Sequence, residues 1–575
     1  MDKIWKVIIS AGILCSIVSP TTFLYAATLP VGAPTAGQED SRIKKEQRFQ
    51  SNNFNGSEKG VIDHSQEPSS KEAPSGVPFH LSDVQLSGNA AISALELKPF
   101  VQILINHDVT LSDVQKAAEQ IEQYYRKKGF VACYVYVPEQ KIHDGVLTIN
   151  IVEGKLGKMD FSGNRWTSNK LLRGMFRTKD NEVLTYDALR RDIVRINKHQ
   201  DIEAKMVLKP GETPGTTDAQ VQVKDKMPLH LSADVNNLGE RNTGKYRWGT
   251  TLVDTNLLGN LDQLLLRYEA GKGTWAVLTN YIVPISHDTG TRLGLGYSRT
   301  HVDVGGDFSS LDIQSNASTY SAFVLQPVIE SEHVDATLKM GLDWKSIRSE
   351  VLGAESGHDE LRILNTGINV EQQDKRGKTF ANNEIGFGFS GFLGASSKVD
   401  SSATRTGTGG QFFAYRGNIV RYQRITDDII VSLASTIQAT SNRLAPSEQL
   451  NLGGAYTVRG YQQGEYLSDY GGHTNAEIFF PAYIFPLTWK LPFAKESLRK
   501  QVQFVGFTDF GYGWIHHPVL GEVKSRTMIG AGAGLRIHLY DKVYARFEWG
   551  SPIGREGSSN KRNTVFYFGI SMELF

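Results

Sequence analysis

Beyond Lys226 the chain settles into a two-residue rhythm. Leu229, Leu231, Ala233 and Val235 alternate with His230, Ser232, Asp234 and Asn236, and similar segments recur to the last residue. They begin near Tyr246, Asp262, Trp275, Thr291, Tyr320, Val334, Leu361, Thr379, Phe412, Ile429, Thr474, Gln501, Met528, Val543 and Thr564. That makes sixteen strands in the final 349 residues (575 less 226). Neighbouring side chains on a strand point to opposite faces, so each segment sets an apolar face against a polar one. A soluble sandwich would turn the apolar face to a core, whereas a transmembrane barrel turns it to lipid around a polar lumen.

The connections favour the barrel. With the first strand rising from the periplasm, links after odd strands are external and free to be long, and links after even strands are short turns. Residues 346–360, 392–411 and 441–473 are long links after strands 7, 9 and 11, whereas 258–261 and 375–378 are short links after even ones. Residues 484–500 break the rule, being long after an even strand. Mean hydropathy is −0.30, and beyond the first residues no run approaches 18 apolar positions, which argues against membrane helices. In the last strand Phe566, Phe568, Ile570, Met572 and Leu574 share a face, leaving Phe575 out of phase.

The first 226 residues read differently. Lys3 and Lys6 precede an apolar run from Val7 to Val18, and Leu24-Tyr25-Ala26 offers a cleavage site, so residues 1–26 read as an export signal. Residues 27–76 are rich in Pro, Ser, Gly, Asn and charge and read as a tether, within which 38–49 form a candidate charged helix. Val84-Gln85-Leu86-Ser87-Gly88-Asn89 is then echoed by Met159-Asp160-Phe161-Ser162-Gly163-Asn164. Each copy leads into two helices and two strands: helices over 93–104 and 111–128 with strands over 131–138 and 145–152, then helices over 168–177 and 186–198 with strands over 204–209 and 219–223. In the second helix Leu111, Val114, Ala117, Ala118, Ile121, Tyr124 and Tyr125 share one face, Thr110 with Asp113 resembles an N-cap pair, and Gly129 ends it. The reading is two α+β modules, 77–154 and 155–227, ahead of a barrel over 228–575.

Charge and candidate chemistry narrow the function. Without residues 1–26 the chain holds 60 basic and 60 acidic residues (62 less 2, 61 less 1), so no net field draws nucleic acid. Cys133 is then the sole cysteine and sits in an apolar run as a small core residue; Cys15 follows bulky Ile13 and Leu14, unlike an acylation site. His230, His287, His301, His333, His358, His473, His516 and His517 are scattered without metal-ligand or triad spacing, so the expectation is a protein that is no enzyme and takes no cofactor or metal. Gly530-Ala531-Gly532-Ala533-Gly534 falls inside a strand, where glycines fit a close-packed wall rather than a phosphate.

One constellation carries a mechanism. Gly453-Gly454-Ala455-Tyr456-Thr457-Val458-Arg459-Gly460-Tyr461 lies in the sixth external loop, too long for a plain turn. Two strands on stands Phe507-Thr508-Asp509-Phe510-Gly511. If Val502, Phe504 and Phe510 face lipid, Asp509 faces the lumen, and an inward-folded loop brings Arg459 to it as a bidentate pair. Such a pair fixes position more than it adds stability.

Val458–Tyr461 and Phe507–Gly511 resemble the two signature motifs of the BamA/TpsB superfamily. Gly129-Phe130, Pro138-Glu139-Gln140, Gly145, Leu147 and Val152-Glu153-Gly154 further resemble the first POTRA domain of the TpsB transporters, the FhaC, ShlB and HecB group. The resemblance covers residue 77 to the end. It implies two periplasmic POTRA domains and a sixteen-stranded barrel in a Gram-negative outer membrane, inserted into its lipids by the outer-membrane assembly machinery. It also implies loop six tucked inward with Val458, Arg459, Gly460 and Tyr461 at its anchor, Phe507, Asp509 and Gly511 on the wall, and Glu477 assisting. Residues 38–49 fall where TpsB proteins have a plug helix. The implied function is export or activation of an unfolded TpsA exoprotein of the haemolysin or adhesin kind, received by the POTRA domains and passed through the barrel. The alternative is an assembly factor for other outer-membrane proteins; a porin would not need the arginine loop.

Overall fold

The computed structural model describes residues 35, 36, 38, 39, 62, 63 and 77–575, apart from 493, 495, 541, 555–557 and 559–563. The expected export signal, and positions 40–49 of the expected charged helix, lie outside the described residues. The described chain forms two compact units, a pair of α+β modules and a barrel.

In the first module Val146–Glu153 is the central strand, parallel to Asp83–Ser87 on one side and antiparallel to Cys133–Tyr136 on the other. Its alternation turns Leu147, Ile149 and Ile151 inward onto helices Ala94–Gln102 and Leu111–Lys127. Thr110 and Asp113 form a reciprocal capping box, satisfying two amides at the start of the long helix. Val114, Ala117, Ala118, Ile121 and Tyr125 are buried, while Leu111, at the exposed first turn, is not. The Tyr125 hydroxyl donates to Glu153, 2.9 Å. Cys133 lies in this core, and burial pushes its thiol up to about 12, where it stays protonated. A small pairing of Phe79–Leu81 with His107–Val109 was too short to read from alternation.

The second module repeats the plan with helices Asn169–Met175 and Tyr186–Asn197, capped by Ser168 and Thr185. Its sheet runs Ile62–Asp63, Ile202–Pro210, Thr216–Asp225, Lys155–Ser162. The first of these falls within the segment read as tether: Ile62 and Asp63 pair in parallel with Met206 and Val207. Two residues carry no periodic signal.

The barrel closes with sixteen strands, numbered here 1 (Leu229–Asn236) to 16 (Val565–Glu573). A closed antiparallel ring satisfies its own backbone hydrogen bonds, which is what lets it cross lipid. Strand 1 pairs with strand 16, Ser232 opposite Glu573 to Asn236 opposite Gly569. Beyond that ladder the Leu231 amide donates to the Phe575 carbonyl, so the out-of-phase last residue is held by its backbone. Trp248, Leu295, Met340, Ile419, Leu433 and Phe510 stand exposed on the outer wall, while Arg267, Glu269 and Asp234 join in ion pairs on the inner one. Trp248, Tyr268, Tyr470, Trp514 and Trp549 line the outward end, as an aromatic girdle does.

One expected loop is absent. Residues 346–360 are ladder, not loop: strand 7 runs Val334–Val351, strand 8 runs Ala354–Asp374, and only Leu352 and Gly353 turn between them. Both have positive φ, 53° and 74°, as a tight hairpin turn requires. The alternation fails there because loop residues cover the inner face: the Thr404 amide donates to Asp359, and the Ser396 amide donates to the Glu360 carbonyl, 2.8 Å. The links over 389–411 and 441–469 are long loops, and 482–501 is the long inner link.

Candidate functional site

The sixth external loop folds back into the barrel as a hairpin. Its legs, Leu450–Leu452 and Tyr466–Ser468, pair antiparallel, and the residues between them form a tip that reaches the inner wall. Leu450, Leu452, Val458, Tyr461 and Tyr466 pack on Ile515 and Met528, so an apolar cluster sets the height of the tip.

Arg459 ends on strand 13 (Val502–Trp514). Its Nε and NH2 donate to the two oxygens of Asp509, 2.8 and 2.7 Å, and its backbone amide donates to the same carboxylate, 2.9 Å. Asp509 sits inward and Phe510 outward, since they are neighbours on one strand. The Arg459 guanidinium lies 3.5 Å from the centre of the Phe507 ring, and NH1 bonds Glu477 of strand 12 (Tyr470–Pro481). Val458 touches the space above Gly511, where a Cβ would come within 2.6 Å. Gly460 has φ +96°, and a Cβ there would meet the Ser551 backbone at 2.5 Å. Its amide donates to the Tyr567 hydroxyl, which in turn donates to the Tyr461 carbonyl, 2.6 Å. All eight residues singled out from the sequence thus meet at one place, with Asn475 donating to both the Thr457 carbonyl and Asp509.

Further residues complete the site. Glu548 of strand 15 (Val543–Pro552) lies 3.3 Å from Arg459 and also bonds Arg536 and Arg546. Arg536 and Arg546 stand directly opposite across strands 14 and 15, a like-charge pairing that needs a shared anion. The cluster balances three arginines with three acids, and each is buried or nearly so. The signal was present: Arg546 and Glu548 alternate with outward Phe547 and Trp549. The glycine run has a steric role, since a Cβ on Gly530 would lie 1.9 Å from the Arg459 carbonyl oxygen.

A second element enters the lumen. Ala36, Gln38 and Glu39 have helical backbone, capped by Thr35: the Thr35 amide donates to Gln38 Oε1 and the Gln38 amide to Thr35 Oγ1. This cap lies three residues ahead of the expected start at 38. Ala36 packs on Val302, Val304, Ile313, Ala317, Ile347 and Val351, and Glu39 lies 3.2 Å from Arg247, which is 1% exposed.

Residues 215–537 match the family of haemolysin secretion/activation proteins ShlB/FhaC/HecB, and 79–154 match a ShlB-type POTRA domain. The heme/hemopexin transporter protein HuxB of Haemophilus influenzae is 23% identical over 547 residues, covering 91% of this chain and 92% of that one. The outer membrane transporter CdiB of Dickeya dadantii is 20% identical, covering 77% of each. Among solved structures, CdiB from Escherichia coli superposes with a TM-score of 0.70 at 17% identity over 94% of this chain and 99% of that one. BamA from Haemophilus ducreyi lacking POTRA domains 1–3 gives 0.54 at 14% identity over 86% and 100%.

Proposed function

From the premise that this chain belongs to the ShlB/FhaC/HecB family, and is therefore an outer-membrane secretion transporter with periplasmic POTRA domains, we propose that it exports a single unfolded exoprotein of the TpsA kind. The observation that carries the reading is the inward loop, pinned by one arginine inside a closed barrel: a loop held this way blocks the lumen and can leave it by moving as a unit. The modules receive the partner in extended form, adding it as a further strand at an exposed sheet edge. Transport then breaks and forms no covalent bond, so the chain acts without catalysis or cofactor. Its outer wall contacts membrane lipid, and the outer-membrane assembly machinery inserts it.

The first test is an immunoblot of culture medium for the large exoprotein expressed with this chain, with and without it, while other outer-membrane barrels are followed. Exoprotein lost from the medium with other barrels unchanged supports dedicated export. Persistent secretion with depleted barrels would instead make the chain an assembly factor.

The segment of Ala36, Gln38 and Glu39 acts in this reading as part of a plug held by Glu39 and Arg247. Glu39→Gln leaves the buried guanidinium without that carboxylate, a loss of about 3–5 kcal/mol. Open-channel events in planar bilayers are expected to rise by about a hundredfold or more on that energy. Unchanged conductance would mean that the pair does not retain the plug.

A further inference from the structure

A second ionic cluster lies at the base of the loop-six hairpin, away from its tip. Arg405, in external loop five (389–411), reaches between loop six (441–469) and loop seven (515–524). Its NH1 and NH2 lie 2.7 and 3.2 Å from the two oxygens of Asp469, the last residue of loop six. Its Nε and NH2 lie 2.7 and 3.3 Å from the two oxygens of Glu522 in loop seven. NH1 also donates to the Leu444 carbonyl, 2.8 Å. One planar fork is thereby divided between acids on two loops, a geometry an ammonium group cannot reproduce.

Asp469 draws the other strands of chain together. It accepts from the Leu444 amide, from the Gln449 side chain and from the His516 amide, at 3.1, 3.1 and 2.9 Å. Leu444 and Gln449 precede the first hairpin leg, Asp469 follows the second, and His516 belongs to loop seven. Both ends of loop six are therefore tied to its neighbours through one carboxylate and one guanidinium. Arg443, 3.6 Å from Glu522, brings the cluster to two cations and two anions. Arg405 is 7% exposed and Asp469 fully buried.

We propose that Arg405 is a positioning residue that holds external loops five, six and seven closed over the outward mouth, a closure separate from the Arg459 anchor. Charged groups suit a closure that opens and recloses. Buried ion pairs add little net stability over an apolar contact, because each partner recovers its hydration when they part. An apolar closure would instead leave a sticky surface at each opening. The proposal goes beyond the export reading but meets it: a chain leaving between these loops has to part the clasp.

The test uses single cysteines in a Cys133→Ala chain, at the hairpin base (Ala445→Cys) or at the tip (Ala455→Cys), both positions buried. Whole cells are labelled with a membrane-impermeant maleimide. Adding Arg405→Ala is expected to speed labelling at 445 by about tenfold or more, while labelling at 455 changes by less than about twofold. Glu522→Gln, which leaves Asp469 on the arginine, is expected to act in the same direction more weakly. If Arg405→Ala fails to yield a heat-modifiable barrel, Glu522→Gln decides. Unchanged labelling at 445, or equal acceleration at both positions, overturns the proposal. If co-expressed exoprotein leaves labelling unchanged while Arg405→Ala speeds it, the closure stands and only the export reading is weakened.

Discussion

Replacing Arg459 by aspartate is expected to lower export of the partner by about tenfold or more while the barrel still inserts. The substitution sets a fourth carboxylate against Asp509, Glu477 and Glu548, with only Arg536 and Arg546 to balance them in the cluster. Leaving a buried charge without its partner costs about 3–5 kcal/mol, which the tip avoids by leaving the wall. Its departure also gives up the Gly460 amide's bond to Tyr567. The ladder of the barrel is untouched, because strands 12 to 16 pair through backbone groups that Arg459 does not use. Heat-modifiable migration should therefore be normal while the exoprotein is missing from the medium. Undiminished secretion would remove Arg459 from the mechanism.

The same outcome is expected without any change of charge. Gly530→Val places a branched side chain where even a Cβ would lie 1.9 Å from the Arg459 carbonyl oxygen. Valine is favoured in strands, so strand 14 (Ser525–Leu539) should keep its pairing. The tip has to lift, and Arg459 then loses its bidentate geometry although every acid remains. Export should fall about as far as with the aspartate variant, on the same 3–5 kcal/mol scale, roughly. Normal export from Gly530→Val would show that the loop does not need its observed position. A fall in one variant alone would separate the charge of the tip from its placement.

The sequence was most legible where one physical rule acted alone. Alternation placed strand 13 correctly because Phe510 faces outward and Asp509 inward as neighbours on one strand. The long helix of the first module was readable from its apolar face and from Thr110 at its cap. Legibility failed where tertiary contacts replaced periodicity. The long hairpin of strands 7 and 8 looked like a loop because its inner face is covered by loop residues such as Thr404 and Ser396 rather than by water or lipid. Glu548 and the two arginines beside it were missed although their phase was visible, because the reading followed the motif and not the charges that alternation also turned inward. The Arg405 clasp joins positions 405, 469 and 522, and nothing local announces such a meeting.

The overlong hairpin has a consequence for the wall of the pore. A barrel strand needs about 9–11 residues to cross the hydrocarbon layer. Strand 7 has 18 residues and strand 8 has 21, whereas strands 1 and 2 have 8 each. At about 3.3 Å per residue the surplus of strand 7 is about 25 Å of strand beyond what a crossing needs. The strand lengths thus leave the wall uneven around the ring, long at strands 7 and 8 and short at strands 1 and 2.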